Sequence, residues 1–413
     1  MGEASTAPES SSSSPEVLRV LEALKQASQD LQTRSSSSTP DDSSNSAIKA
    51  LLELETESDA LLSTDPHLST LSDLLSHLKS AVLTLREARG RRNFNSFFTR
   101  RFSTHSISKL AGSIEGEIQS WIDRESVERV ARALHVAPEA EEEEKVVNLV
   151  ALLESRVLDG FNHELQDLVL KWRVFEGLEM VLCDRRSGKR VKEQVAMAIA
   201  ALIRFNKDVF VGQVLMGGSV EALLNMSTTC SIHVLSELIR RIKSPLVDLL
   251  DSHSKFPKII WLLDSEDIDL KLASMDCILE IGYFGRREAI EAMIKEGGLV
   301  EKLVELQRSE LGGDLIEMDK FDSDSDEGRE SKGVSVQEVY GSSRSRRERR
   351  YLLRKPFASC VARFAVQLEV GEGLRHRERR AFKQDILVSV KHASLSDAEA
   401  ATIIAEVLWG SSP

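Results

Sequence analysis

Hydrophobic positions recur every three and four residues along most of the chain, and the clearest cycle lies between Ser265 and Arg308. Leu270, Leu272, Ala273, Ile278, Leu279 and Ile281 predict a long helix, and Ile290 and Ile294 a short one. A Gly297-Gly298 break follows, and then a medium helix carrying Leu299, Val300, Leu303, Val304 and Leu306. Three such helices cannot bury their apolar faces alone, so neighbours of the same kind are expected. The chain supplies them. Leu178–Leu182 (LEMVL) is echoed 42 residues later by Val220–Leu224, 36 further on by Phe256–Ile260, and after 44 more by Val300–Val304. Longer helices are predicted between these segments, over Val191–Phe205, Ser231–Ile242, Ile268–Phe284 and Pro356–Val370. A period of about forty residues belongs to α-solenoids.

The first third lacks this period. Residues 1–15 form a Ser-rich tail whose composition predicts disorder. Helices are expected over 16–32 and 47–63, separated by the polar run Arg34–Ser46, and after Asp65-Pro66, where Leu68, Leu71, Leu75, Leu78, Val82 and Leu85 form a bundle seam. The basic stretch Arg89–Arg101, with Phe94, Phe97 and Phe98, reads as a loop that packs its rings back on the bundle. A fourth helix (Ile107, Leu110, Ile114, Ile118, Trp121) and a fifth (Val127, Val130, Leu134) complete a bundle over 16–137. Residues 138–144 are an acidic linker, and repeats fill 145–408 apart from an insertion over 312–343. The fold class is all-α: a helical bundle followed by an α-solenoid of about five repeats by the period above.

Composition narrows the function. A net charge of −12 argues against a dedicated nucleic-acid binder. Cys183, Cys230, Cys277 and Cys360 sit singly in apolar segments, which reads as reduced core thiols in a cytoplasmic or nuclear protein. No secretory leader is legible. The best uncharged apolar run, Val195–Ile203, is nine residues, against roughly eighteen for a membrane span. Met1-Gly2 with Thr6 fits the permissive acylation pattern, but Glu3 is acidic and no second anchoring signal lies nearby, so membrane association is a minor alternative and not the main expectation. Phosphate-binding loops, nucleophile elbows and paired metal-binding histidines are missing. Gly371-Glu372-Gly373 follows a helix instead of a strand, which fails the dinucleotide context. No enzyme activity, cofactor, metal or small-molecule substrate is expected.

Lys192–Met226 and the opening Ser265–Arg308 stretch resemble armadillo repeats, the glycine-led segment matching the family's second helix and the longer Ala-rich one its third. The bundle resembles the helical domain that precedes the U-box in plant ubiquitin ligases. The closing LSDAEAATIIAEVLWGSSP is similar to the end of plant armadillo-repeat proteins that lack a U-box. No cysteine here precedes a proline and no segment is left to hold a U-box, so the resemblance implies a right-handed armadillo-type solenoid without that ligase domain. It also implies a non-enzymatic scaffold binding protein partners, with an adaptor role in ubiquitin signalling or a membrane-peripheral scaffold as alternatives. Importin-like repeats carry a Trp and Asn ladder on the third helix. The matching positions read as Met197 and Ala201, Met275 and Leu279, and Cys360 and Phe364, so that ladder is absent.

Helical phase places Arg204, Glu237, Arg240, Arg241, Asp276, Glu280, Arg363 and Gln367 on the exposed groove face of the long helices, a mixed-charge lining for a mixed or amphipathic partner segment. The insertion carries the acidic run Asp319–Glu330, with Ser323 and Ser325 as candidate phosphorylation sites beside the basic cluster Arg344–Arg350. A second basic cluster, Arg375–Arg380, reads as a mixed-charge helix face.

Overall fold

The computed structural model describes residues 69–90, 94–135, 143–314 and 351–409, together with Leu21, Ala23, Lys25, Gln26 and Gln29. The tail 1–15, the helix 47–63, the acidic run with Ser323 and Ser325, and Arg344–Arg350 lie outside the described residues. Everything regular among the described residues is helical, and none of it is strand. The chain divides into two compact units, 1–132 with 162–174, and 133–161 with 175–413.

In the first unit, α1 (Ser69–Gly90) buries Leu71, Leu75 and Leu78. α2 runs unbroken from Phe94 to His135, with Ile114, Ile118, Trp121, Val127 and Val130 on its buried stripe. The hydrophobic pattern predicts a loop and two helices here. The backbone is already helical at Phe94, and nothing in 122–126 breaks the turn, since no Gly or Pro occurs there. The side chains of the Arg89–Arg101 patch lie outside those described. Lys25 Nζ donates to Gln119 Oε1 (2.5 Å) and Gln29 Nε2 to Glu115 Oε1 (2.6 Å), which ties these two helical residues to α2. α4 (His163–Lys171) starts at Asn162, whose side chain accepts from the Leu165 amide at 3.1 Å and satisfies one of the open N–H groups of the first turn.

The second unit is a solenoid of three-helix repeats. Its long helices are α3 (Glu143–Leu158), α6 (Lys189–Phe205), α9 (Thr229–Ile242), α12 (Ile268–Phe284), α15 (Cys360–Val370) and α17 (Asp397–Trp409). Each packs on the next in that order. A second row contains α5 (Val174–Cys183), α8 (Ser219–Met226), α11 (Phe256–Trp261), α14 (Leu299–Arg308) and α16 (His376–Ala393). The first helices of successive repeats, α7 (Lys207–Met216), α10 (Ser244–Ser252) and α13 (Arg287–Glu291), pack in a third row, with a π-turn over Ala292–Glu296 after α13. The long-short-glycine-medium order expected for Ser265–Arg308 is what α12, α13 and α14 form.

Joints between repeats recur at the forty-residue spacing. Glu179 on α5 accepts from the Ser219 amide (3.0 Å) and hydroxyl (2.8 Å), closing the start of α8. A Cβ on Gly217 would overlap that carboxylate, so the glycine makes room for the cap. Glu143 accepts from the Gly188 amide at 3.2 Å, and Glu144 pairs with Arg190 at 3.0 Å. The last two acidic residues of the expected linker are thus the first turn of α3, bound to the start of α6. Within the repeat that α10 opens, Ser244 Oγ donates to the Phe284 carbonyl at the end of α12, at 2.7 Å. Glu179→Ala should cost about 1 kcal/mol, the ordinary worth of a helix cap, readable as a shift of the urea midpoint with unchanged slope.

Two expectations need correction. The fourth long helix begins at Cys360 and not at Pro356: Ser359 is left-handed (φ 48°), and the preceding turn is held by Phe357 N to Leu311 O (3.1 Å) and Ser359 N to Gly313 O (2.9 Å). The cysteines are free, but only Cys277 and Cys360 are core residues, their thiols pushed up to about 12 by burial. Cys183 ends α5 exposed and Cys230 is half-buried, because both fall one position off the inward stripe.

Candidate functional site

The long helices leave one polar stripe each after packing. On α9, burial of Ile232, Leu235, Leu238, Ile239 and Ile242 sends His233, Glu237, Arg240 and Arg241 outward. On α12, burial of Ala273, Met275, Cys277, Ile278 and Ile281 leaves Asp276 and Glu280 facing out. On α15, Arg363 and Gln367 emerge between buried Phe364, Ala365 and Leu368. Each set is spaced by three or four residues, the repeat of one helix face.

These stripes interlock. Arg240 donates from Nε (3.1 Å) and Nη2 (2.8 Å) to Glu280 Oε1 on the next helix, and from Nη1 to Glu237 Oε2 at 2.9 Å. Arg241 Nε donates to the other Glu237 oxygen at 2.9 Å. The bond to Glu280 pushes the Arg240 guanidinium further above its ordinary range. Asp276 is set among Arg363, His233 and Arg240. Partial burial nevertheless dominates, and its carboxyl titrates above the ordinary aspartate value. Arg363 is held by donation to the Pro356 carbonyl at 2.7 Å. Towards the N-terminal end, Gln194 Nε2 on α6 donates to Glu154 Oε2 on α3 (2.5 Å), where burial likewise raises the Glu154 carboxyl.

Six of the eight residues chosen from helical phase therefore share one network: Glu237, Arg240, Arg241, Asp276, Glu280 and Arg363. Gln367 sits a turn beyond Arg363, beside Gly282 of α12. Arg204 is exposed at the end of α6, away from these contacts. The sequence reading missed His233, although it lies four residues before Glu237. It also missed Glu154 and Gln194, which the forty-residue offset could have paired. The positions aligned with the importin ladder carry no polar lining. Ala201, Met275, Cys360 and Phe364 are buried core, because those helices are packed on both flanks and the outward face is narrower than a two-sided pattern suggests.

Solved structures with a similar chain trace include a computationally designed armadillo repeat protein for modular peptide recognition, at 13% identity and a TM-score of 0.42, covering 68% of this chain and 98% of that one. Another is a designed armadillo repeat protein in complex with the peptide (KR)4, at 13% identity and TM-score 0.42, covering 69% and 99%. A third is an engineered protein at 16% identity and TM-score 0.40, covering 68% and 94%. No family model matches the sequence. No curated protein matches it. The reading of this face rests on its own geometry.

Among the described residues no group of three or more His, Cys, Asp or Glu side chains is placed to hold a metal ion. No single described helix is long and apolar enough to cross a membrane. The bent pair α7–α8 is apolar enough in sum, but it buries Phe210, Val214, Val220, Leu223 and Leu224 inside the solenoid.

Proposed function

We propose that the polar face of α9, α12 and α15 docks a mixed-charge or amphipathic segment of a partner protein, and that the chain acts as a non-enzymatic scaffold in the cytoplasm or nucleus. The observation that carries this reading is the Glu237–Arg240–Glu280 chain with Asp276 and Arg363 beside it. Exposed ion pairs contribute only a few tenths of a kcal/mol each, so this network does little for the fold. What it does is hold charged groups in fixed positions before a partner arrives, which lowers the ordering cost of binding. Asp276 points the same way, since burial works against its charge.

Asp276→Asn should leave the melting temperature at pH 7 unchanged or slightly higher. A carboxyl whose folded pKa is raised binds protons more readily in the folded state, so its contribution favours folding as pH falls through that pKa and opposes it above. The aspartate-specific part of the stability difference should vanish below about pH 4, near the ordinary aspartate value. A clear loss of stability at pH 7 would make Asp276 a structural residue.

The decisive comparison is proximity labelling by the full chain and by Arg240→Glu/Arg241→Glu. We expect the altered chain to lose its most strongly labelled partners while melting within about 2 °C of the original, since only surface pairs are lost. Identical labelled sets would place binding elsewhere. An adaptor role in ubiquitin signalling is the finer form of the same reading and requires ubiquitin-pathway proteins among the partners lost.

A further inference from the structure

The basic cluster Arg375–Arg380 is not part of the face described above. It opens α16 and helps to line a cavity of roughly 380 Å³ between α15 and α16. The floor is apolar, formed by Ala365, Leu368 and Ile386, and the rim carries His376, Arg379, Arg380 and Lys383 against one carboxylate among the described residues, Glu369. Arg379 is locked in place by donating to the carbonyls of Glu369 (2.6 Å), Gly371 (2.7 Å) and Leu374 (3.1 Å). These bonds fix its charge without neutralising it. Lys383 pairs with Glu369 at 3.1 Å. Arg380 is exposed and has no carboxylate partner among the described residues. The positive end of the 18-residue helix α16 adds to the field.

We propose that this cavity is the docking site of the acidic run Asp319–Glu330 in the chain's own insertion. The two match in chemistry. The run, DKFDSDSDEGRE, places one aromatic residue, Phe321, among Asp319, Asp322, Asp324, Asp326 and Glu327. An aromatic anchor suits the apolar floor, and the flanking carboxylates suit the cationic rim. The tether also reaches. Tyr351 Oη donates to the Asp314 carbonyl at 2.9 Å and Ser359 N to Gly313 O at 2.9 Å, so the insertion leaves and returns beside the start of α15. Ala365 to Glu369 lie six to ten residues past Ser359, or roughly 9–15 Å along a helix. Phe321 lies seven residues past Asp314, a reach of up to about 23 Å. Phosphates on Ser323 and Ser325 would add roughly two negative charges each and tighten the contact.

The test uses the full chain and a second full chain in which Asp319, Asp322, Asp324, Asp326, Glu327 and Glu330 are replaced by Asn or Gln and Phe321 by Ala. A fluorescent peptide covering residues 317–331 is titrated into each and read by anisotropy. A tethered run competes at an effective concentration near the millimolar range, so the neutralised chain should bind the peptide at least tenfold more tightly than the original. Adding Arg380→Glu to the neutralised chain should cost at least tenfold, as should Phe321→Ala in the peptide. If Arg380→Glu lowers the melting temperature, Arg380→Ala takes its place. Equal binding by both chains, no binding to the neutralised chain, or indifference to Arg380 would each overturn the proposal. An unrelated phosphopeptide binding the original chain as well as the cognate peptide binds the neutralised one would assign the cavity to a foreign partner and also overturn it. The labelling result for Arg240 and Arg241 is independent of all these outcomes.

Discussion

Gly373→Ala is expected to cost about 3 kcal/mol and to lower the melting temperature by roughly 6–12 °C. A Cβ on Gly373 would overlap the Gly285 carbonyl oxygen, and one on Gly371 would overlap that of Tyr283. Both obstacles are backbone and cannot swing aside. The turn sits so close because the Glu372 and Gly373 amides donate to the Tyr283 carbonyl, at 2.8 and 3.2 Å, satisfying an acceptor near the end of α12. Displacing the turn would therefore strain the chain and loosen both bonds, each worth about 1 kcal/mol. Neither glycine has a positive φ, so the requirement is for space and not for backbone freedom. Glu372→Ala in the same turn is the control. It removes an exposed ion pair to Lys243 (2.8 Å) and should cost less than about 0.5 kcal/mol. Thermal melts of the three proteins by circular dichroism would check this, and a Gly373→Ala melt that matches the control would refute it.

Glu406→Ala is expected to have an effect of similar size, about 3 kcal/mol. Glu406 is buried on α17, where it accepts from Ser359 Oγ (2.7 Å) and Gln307 Nε2 (2.8 Å). Gln307 Oε1 in turn accepts from the Val361 amide at 3.5 Å, so the carboxylate supports the first turn of α15 from both sides. Truncation would strip Ser359 and Gln307 of this acceptor in a buried site. Glu406→Gln keeps the shape but sets an amide against the Gln307 amide, and should lose about half as much. Chemical denaturation would rank the three proteins. Faster hydrogen exchange at Val361 in Glu406→Ala would locate the damage.

The order of helices around Ser265–Arg308 was legible because three signals agree there: period, glycine pair and length. The phase of the polar stripe was legible at Arg240 and Glu280, where charged residues mark the open face. It was not legible at Met275, Cys360 and Phe364, apolar positions that are buried core. Those helices are flanked by neighbours on two sides, and an apolar residue on them gives no sign of which side it faces. The role of Gly371-Glu372-Gly373 was hidden for a different reason. Its partner, Tyr283, is some ninety residues away, and a backbone contact leaves no side-chain pattern. The start of α15 depends on Ser359 turning left-handed, which the hydrogen bonds to the Leu311 and Gly313 carbonyls hold and no local propensity announces.

The joints closed by Glu143 and Glu179 share a direction. In each, the earlier repeat supplies the side chain that finishes a helix end in the repeat after it. A segment emerging from the ribosome would then find its cap already built, and order could spread from the N-terminal side as synthesis proceeds. Cutting repeats from the C-terminal end leaves these two helix ends complete, whereas removing α3 and α5 leaves the starts of α6 and α8 open. The solenoid has a grain, and it runs with translation.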